Sequence, residues 1–142
     1  MHTLSIRTAA LAAALIAVPA FAKEQIMVVE HPVGETTVHP GGAKVDSLGD
    51  LLVFANKVFD STNKTQVATD QGFCVRTVLG KSWEYLLTIT FKDDQIVTEG
   101  PYAEAGDSLW AVTGGTGKYA GAKGSMKLHP HGDFIDFAYD LL

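Results

Sequence analysis

The feature that most constrains this fold is a strict alternation of side chains over residues 82–92. One face carries Trp83, Tyr85, Leu87, Ile89 and Phe91, and the other carries Glu84, Thr88 and Thr90. A period of two is typical of a β-strand with one buried face. After position 22, no window of eleven or more residues combines helical spacing of apolar residues with capping signals. The chain is therefore predicted to be all-β.

Seven other segments have strand character and are separated by turn signals. They are residues 23–30, 48–60, 66–79, 95–102, 107–113, 119–129 and 134–142. Residues 31–45, punctuated by prolines and glycines, are predicted to form a loop. Eight short strands predict a sandwich or a barrel, and a meander of this length can close into an eight-stranded antiparallel up-and-down β-barrel. Such a barrel is just wide enough to be filled by side chains or to hold one small ligand.

The N-terminus is predicted to be a cleaved signal peptide. Arg7 precedes an apolar run over residues 9–18, and Ala20-Phe21-Ala22 has the small-x-small pattern of a cleavage site. The run is too short to cross a bilayer, so no membrane span is expected. A membrane barrel is disfavoured because residues 65–70 and 126–133 are too polar for lipid-facing strands. We expect cleavage near Ala22, export to the periplasm or beyond, and one domain over residues 23–142.

Charge and cysteine content limit the partners. Without Arg7, the 11 Lys and Arg become 10 against 16 Asp and Glu, a formal charge near −6. No basic cluster is present, so nucleic acid is not an expected partner. The single cysteine, Cys74, cannot close an internal disulfide, which leaves packing and self-association to stabilise the domain. Between Phe73 and Val75, a lone cysteine is more typical of a buried apolar residue than of a nucleophile.

Two motifs with a chemical connotation do not meet the requirements of that chemistry. Residues 114–118 (GGTGK) resemble a phosphate-binding loop, but Val112 stands where its first glycine belongs and Tyr119 where Ser or Thr belongs. These glycines are better explained as a corner between barrel strands. The segment 129–131 (HPH) lacks a third ligand nearby and is predicted to be a surface turn. We therefore predict no metal site.

Polar residues on the strand faces are the remaining candidates for function. Glu30 ends the first predicted strand, and Asn56 alternates with Phe54 and Val58. Cys74 and Arg76 share a face because they are two residues apart on one strand. Such groups, if they point inward, must be satisfied by partners or by a ligand.

Four motifs in order resemble the allene oxide cyclase and dirigent superfamily of small β-barrels. They are GDL with FANK (residues 49–57), GFCV (72–75), GPY followed by LWAVTGGTG (100–117), and GAKG (121–124). The resemblance covers about residues 24–141, essentially the whole predicted domain. Within this superfamily, the chain is similar to the bacterial allene-oxide-cyclase-barrel-like, dirigent-like proteins.

The resemblance implies an eight-stranded barrel, often trimeric, with one apolar cavity and no cofactor. In the plant cyclases a glutamate, an asparagine, a cysteine and a tyrosine steer ring closure of a fatty-acid allene oxide. Those catalytic roles map to Glu30, Asn56, Cys74 and Tyr102. Phe54, Arg76 and Pro32 are expected to contribute to ligand binding. Pro32 replaces a second asparagine of the plant motif, and Arg76 replaces an apolar residue, so an inward Arg76 would pair with Glu30 or bind a carboxylate or phenolate.

Two functions follow as hypotheses. One is a cofactor-free isomerase or cyclase acting on a small apolar, lipid- or phenol-derived substrate. The alternative is a non-catalytic dirigent-like or lipocalin-like protein that binds an apolar ligand. Retention of the four catalytic positions favours the first, and the changes at Pro32 and Arg76 favour the second. A barrel filled by its own side chains, acting as an interaction or structural module, is a third interpretation.

Overall fold

The computed structural model describes residues 23–42 and 45–142. The predicted signal peptide over residues 1–22 lies outside this part of the chain. The strands are β1 Glu24–His31, β2 Glu35–Val38, β3 Leu51–Asp60, β4 Gln66–Val78, β5 Ser82–Phe91, β6 Asp94–Ala103, β7 Ser108–Thr116, β8 Gly124–His131 and β9 Phe134–Leu141. Short 3-10 turns span Pro40–Gly42 and Gly117–Tyr119. In the described residues, no helix has the length and apolar character needed to cross a membrane.

The strands form a closed antiparallel ring. Neighbours follow the order β1-β9-β8-β7-β6-β5-β4-β3, and β1 pairs with β3 to complete eight strands. The predicted all-β, eight-stranded antiparallel barrel is therefore confirmed. Each consecutive pair from β3 to β9 is joined by a short turn, as in an up-and-down meander.

Two predicted boundaries are wrong. Residues 31–45 are not only loop, because β2 pairs with the first half of β3 on the same side as β1. The predicted strand over residues 119–129 begins only at Gly124, since Gly117–Tyr119 is a 3-10 turn and residues 120–123 continue it as a loop. β2 is hard to predict because it is only four residues long, and the start of β8 is delayed because Gly117 and Gly121 adopt positive φ angles in the preceding turn.

The alternating face of β5 points into the barrel, as predicted. Trp83, Leu87 and Ile89 are buried there, with Ile89 completely shielded from solvent. The opposite strands supply Trp110, Met126 and Phe137 to the same core. Burial of these large side chains, each contributing roughly 1.5–3 kcal/mol, is the main source of stability in the folded domain.

The glycine-rich segment has no room for phosphate. Gly114 and Gly115 lie within β7, so only Gly117, with φ of 60°, forms the predicted corner. The backbone N–H of Lys118 donates to the Asp94 carboxylate at 2.9 Å. An acidic group thus already occupies the donor that a phosphate would need.

The segment His129-Pro130-His131 is also placed differently from the prediction. It is the end of β8, and the turn follows at residues 132–133. Pro130 is tolerated in the strand because β7 pairs with β8 only as far as Leu128. The two imidazoles face Asp107 and Asp136, at 2.6 and 3.3 Å respectively.

Candidate functional site

A break between β1 and β2 shapes one wall of the site. β1 pairs with residues 57–60 of β3, and β2 pairs with residues 51–54, so residues 32–34 leave the ladder. Pro32, which has no N–H to donate, begins this break. Asn56 repairs it, since its Oδ1 accepts the N–H groups of Val33 and Gly34, both at 3.0 Å. Pro32 therefore shapes the seam and does not line the cavity described below.

The same asparagine orients Glu30. Its Nδ2 donates to Glu30 Oε1 at 2.7 Å, and both side chains are buried. The amide group is thus fixed at its oxygen by two backbone donors and presents its nitrogen to the carboxyl. Two of the four predicted catalytic residues meet directly in this hydrogen bond.

A second carboxyl, absent from the sequence-based prediction, joins this pair. Asp70 on β4 lies directly opposite Asn56 on β3 and is only 2% exposed. Asp70 lies an even number of residues from Cys74 and Arg76 along β4, so all three side chains are on one strand face, and this could have identified it from the sequence. Motif matching missed it because it looks only at positions with a family precedent.

Burial sets the protonation of both carboxyls. Removal from water, together with the nearby Asp70 charge, raises the pKa of Glu30 well above its usual range, and this outweighs the Asn56 hydrogen bond. Burial likewise raises the pKa of Asp70, to about 6, although contact with Glu30 works in the opposite direction. Burial therefore favours the neutral form of both carboxyls, and because the two groups interact they titrate as a pair.

Glu30 lines a narrow cavity inside the barrel. The cavity volume is about 20 Å³, which is room for one or two water molecules. Its lining is mostly aromatic and aliphatic: Phe54, Tyr85, Leu87, Tyr102, Trp110, Leu128, Ile135 and Phe137, with Glu30 and Glu35 as the acidic members. Among these, Glu35 is exposed and Tyr102 partly exposed, whereas Glu30 is buried.

Aromatic rings form a continuous wall of this cavity. The Tyr85 ring centroid lies 5.7 Å from that of Phe54, 5.6 Å from that of Tyr102 and 5.0 Å from that of Trp110. Gly100 makes room for this arrangement, since a Cβ there would lie 2.6 Å from Cδ1 of Trp110. The Trp110 indole N–H donates to the Pro101 carbonyl at 2.9 Å, which fixes the ring. Phe54 and Tyr102 thus lie where the prediction expected them, whereas Tyr85 and Trp110 were not predicted as site residues.

Cys74 is close to the site but does not line the cavity. Its thiol is completely buried and lies against Tyr85, its neighbour across the β4–β5 ladder. Burial raises the pKa of Cys74 to about 11. The group is therefore a neutral thiol at physiological pH and supports the Tyr85 ring by packing.

Arg76 does not reach Glu30 or the cavity. Its Nε donates to Asp46 at 2.8 Å, its Nη1 pairs with Glu104, and its guanidinium lies 4.0 Å above the Trp83 ring. The expected pairing with Glu30 is therefore absent in this structure. Its charge is therefore held by two acidic groups that lie outside the strands and does not reach the cavity.

The site offers carboxyl chemistry in an apolar enclosure. Within the described ranges, no cluster of three or more His, Cys, Asp or Glu side chains is arranged to hold a metal ion. What the arrangement does supply is one buried acid pair, an orienting amide and a wall of π faces. A group in such an apolar, low-dielectric cavity interacts with charge on a ligand more strongly than it would in water.

Comparison with known sequences identifies the family. The family profile described as "Allene oxide cyclase" matches residues 30–138, which include every residue of the site. The chain belongs to the allene oxide cyclase family. The resemblance of its sequence motifs to this superfamily is thereby confirmed.

Solved structures with a similar barrel include proteins of different kinds. A pyocyanin demethylase is 22% identical with a TM-score of 0.72, and the match covers 84% of this chain and 100% of that one. A pterocarpan synthase dirigent protein is 14% identical with a TM-score of 0.71, over 87% of this chain and 96% of that one. An exo-specific intermolecular Diels-Alderase is 14% identical with a TM-score of 0.64, over 84% and 98% respectively. At these identities the likeness is one of fold.

Proposed function

We propose that this protein is a cofactor-free isomerase or cyclase that acts on a small, apolar, conjugated substrate inside the barrel. The observation that carries the proposal is the buried Glu30 carboxyl, oriented by Asn56 at 2.7 Å and facing an aromatic-lined cavity. A carboxyl in that position is costly to bury, so a folded domain that retains it gains something other than stability.

Glu30 would act on charge that develops as the substrate rearranges. The acid pair offers a proton to a substrate oxygen and one negative charge to a delocalised cation. The rings of Tyr85 and Trp110 would hold a flat substrate and add favourable contact with positive charge through their faces. Confinement of one folded conformer close to attack geometry supplies the rest of the rate enhancement, without a nucleophile or a metal.

The cavity must widen to admit a substrate. Its present volume of about 20 Å³ is far below the few hundred Å³ of a typical ligand pocket. Glu35 is exposed, and Tyr102, Tyr85 and Ile135 are partly exposed, so these are the lining side chains that can move aside most readily. The proposal therefore includes a rearrangement of the mouth on binding.

Incubation with an allene oxide tests the proposal. The protein should give a cyclised product with one enantiomer in excess, and Glu30→Gln should give the product mixture of the spontaneous reaction. Glu99→Gln, which changes an exposed carboxyl on β6, is the matched control and should behave as the parent protein does. A racemic product from the parent protein would rule out catalysed cyclisation of allene oxides.

The alternative is a dirigent-like protein that binds an apolar ligand without chemistry. Its specific support is the aromatic wall, which would hold a flat ligand whether or not a carboxyl is present. Native mass spectrometry of the purified protein would identify a retained ligand. Under this alternative, Glu30→Gln would keep the ligand and no conversion of it would be observed.

We also propose export and self-association. Export rests on the signal-like sequence of residues 1–22, and N-terminal sequencing of the protein from its host would find Lys23 first if cleavage follows Ala22. Self-association into a homotrimer is supported by exposed apolar residues on adjoining strands, Val53 at 39% and Phe73 at 44% exposure. Light scattering would give the mass, and Phe73→Ser should reduce it to that of one chain.

A further inference from the structure

We infer that Asp70 is a positioning residue for Glu30: the two buried carboxyls hold one proton between them, so that Glu30 can give a proton to the substrate and take one back. This inference rests on the proposed function and narrows it. The substrate class becomes one whose rearrangement moves a proton, such as an enolisable carbonyl compound or a phenol tautomer. Nothing in the family resemblance assigned a role to Asp70.

The strand register brings the two carboxyls together. Asn56 and Val58 are successive inward positions on β3, and they face Asp70 and Glu30 respectively across the two adjoining ladders. The Asn56 side chain thus has one carboxyl on each side. Asn56, Glu30 and Asp70 are 3%, 5% and 2% exposed, so solvent does not separate them.

The hydrogen bonding of Asp70 demands a proton. In the described part of the chain, neither Asp70 oxygen accepts a well-formed hydrogen bond from an N–H or O–H donor. The Glu30 carboxyl lies on the other side of the Asn56 amide from Asp70, and the two carboxyls interact electrostatically. Two carboxyls bond to each other only when one of them is protonated. A shared proton satisfies an Asp70 oxygen that would otherwise be buried without a partner.

The surrounding charges favour retention of that proton. The titratable groups that act on the pair from other strands are Glu35 on β2, Tyr102 on β6 and Tyr139 on β9. None of them is cationic, and no lysine, arginine or histidine of the described residues forms an ion pair with either carboxyl. Among the described residues the buried Tyr139 hydroxyl has no partner; its burial, and then the nearby Asp70 and Glu30, raise its pKa, so it stays protonated beside the pair.

The chemical step balances without any other reactant. The Glu30 O–H bond breaks as its proton bonds to an oxygen or carbon of the substrate, and the carboxylate that results is stabilised by the Asn56 amide. A C–H or O–H bond elsewhere on the substrate then breaks, its electron pair enters the rearranged π system, and the proton returns to the pair. No electron is gained or lost overall, and the product is an isomer of the substrate.

Infrared spectroscopy tests the pair without any substrate. At pH 7 the parent protein should show the C=O stretch of a protonated carboxyl, above the amide band. Glu30→Gln should remove this band, and Asp70→Asn should make it disappear at a lower pH than in the parent protein, because the neighbouring negative charge is gone. Glu99→Gln should change nothing. Absence of the band at pH 7, or an unchanged titration in Asp70→Asn, would overturn the inference.

Turnover separates this inference from the proposed function. With a substrate that isomerises, Asp70→Asn should lower kcat at least tenfold with KM unchanged, since Asp70 does not line the cavity. A protonated pair without any turnover would refute the proposed function and leave the pair intact, whereas turnover without the band would refute the pair alone. If Asp70→Asn does not fold, carbon NMR of the parent protein's carboxyls should still show two interdependent titrations, and two independent ones would overturn the inference.

Discussion

Raising the pH from 4 to 8 should destabilise the folded protein, because Asp70 holds its proton more tightly when folded than when unfolded. Its pKa rises from an ordinary 3.8 to about 6 in the fold. Between these values the unfolded chain has lost the proton and the folded chain has kept it, so the free energy of unfolding falls as pH rises. A rise of about two units at 1.36 kcal/mol each amounts to roughly 3 kcal/mol, complete by about pH 7. Glu30, whose pKa is also raised, adds a further loss at higher pH.

Urea unfolding followed by tryptophan fluorescence measures this effect, since Trp83 and Trp110 lie inside the barrel. Asp70→Asn should match the parent protein at pH 4 and exceed its stability at pH 8 by up to about 3 kcal/mol. Asp93→Asn, at a side chain 84% exposed, is the control and should follow the parent curve. Asp60 affects the pH dependence of stability only at lower pH. Its pKa is lowered from 3.8 to about 2 in the fold, so the stability it contributes is lost as pH falls through that range. A parent protein whose stability is level or rises from pH 5 to 8 would refute the reasoning.

Three further predictions concern the surroundings of the site. Arg76→Met should lower the free energy of unfolding by roughly 1–3 kcal/mol in urea titrations, because two acidic partners and a ring contact are lost, while ligand binding measured by calorimetry stays the same. Gly100→Ala should cost about 1–3 kcal/mol and weaken ligand binding, because its Cβ would push Trp110 towards the cavity; Gly114→Ala, where a Cβ meets nothing within 4 Å, should do neither. Cys74 should not react with a thiol reagent at pH 8 until the protein unfolds, since it is buried with a pKa of about 11, and rapid labelling of the folded protein would contradict this.

The sequence predicts the barrel well because period-two alternation is a direct record of which face is buried. The face of β5 and the inward position of Asn56 both follow from it, and the structure agrees. Short elements are less visible, as β2 shows, because four residues cannot establish a period. Its pairing depends on β3, which lies beyond a loop in the sequence.

The candidate site was predictable only in part. Asn56 was predicted because alternation and the family motif agree on it, and Glu30 because it ends the first strand and matches the family's glutamate; the structure brings the two into contact. Asp70 was not predicted, although it lies on the same face of β4 as Cys74. The partners of Arg76 could not be foreseen, since a long side chain can reach acidic groups from loops whose positions depend on the whole fold.

The asparagine that spans the break between β1 and β2 links barrel closure to the site. Asn56 holds the backbone amides of Val33 and Gly34 with one end and Glu30 with the other. A ligand that draws Glu30 away from Asn56 would loosen the two amides, and one that locks Glu30 in place would protect them. Hydrogen exchange at these two amides therefore serves as a built-in reporter of occupancy, even for a ligand that has no colour and undergoes no reaction. The same linkage means that an engineer who alters Asn56 to change specificity also alters how firmly the barrel is closed.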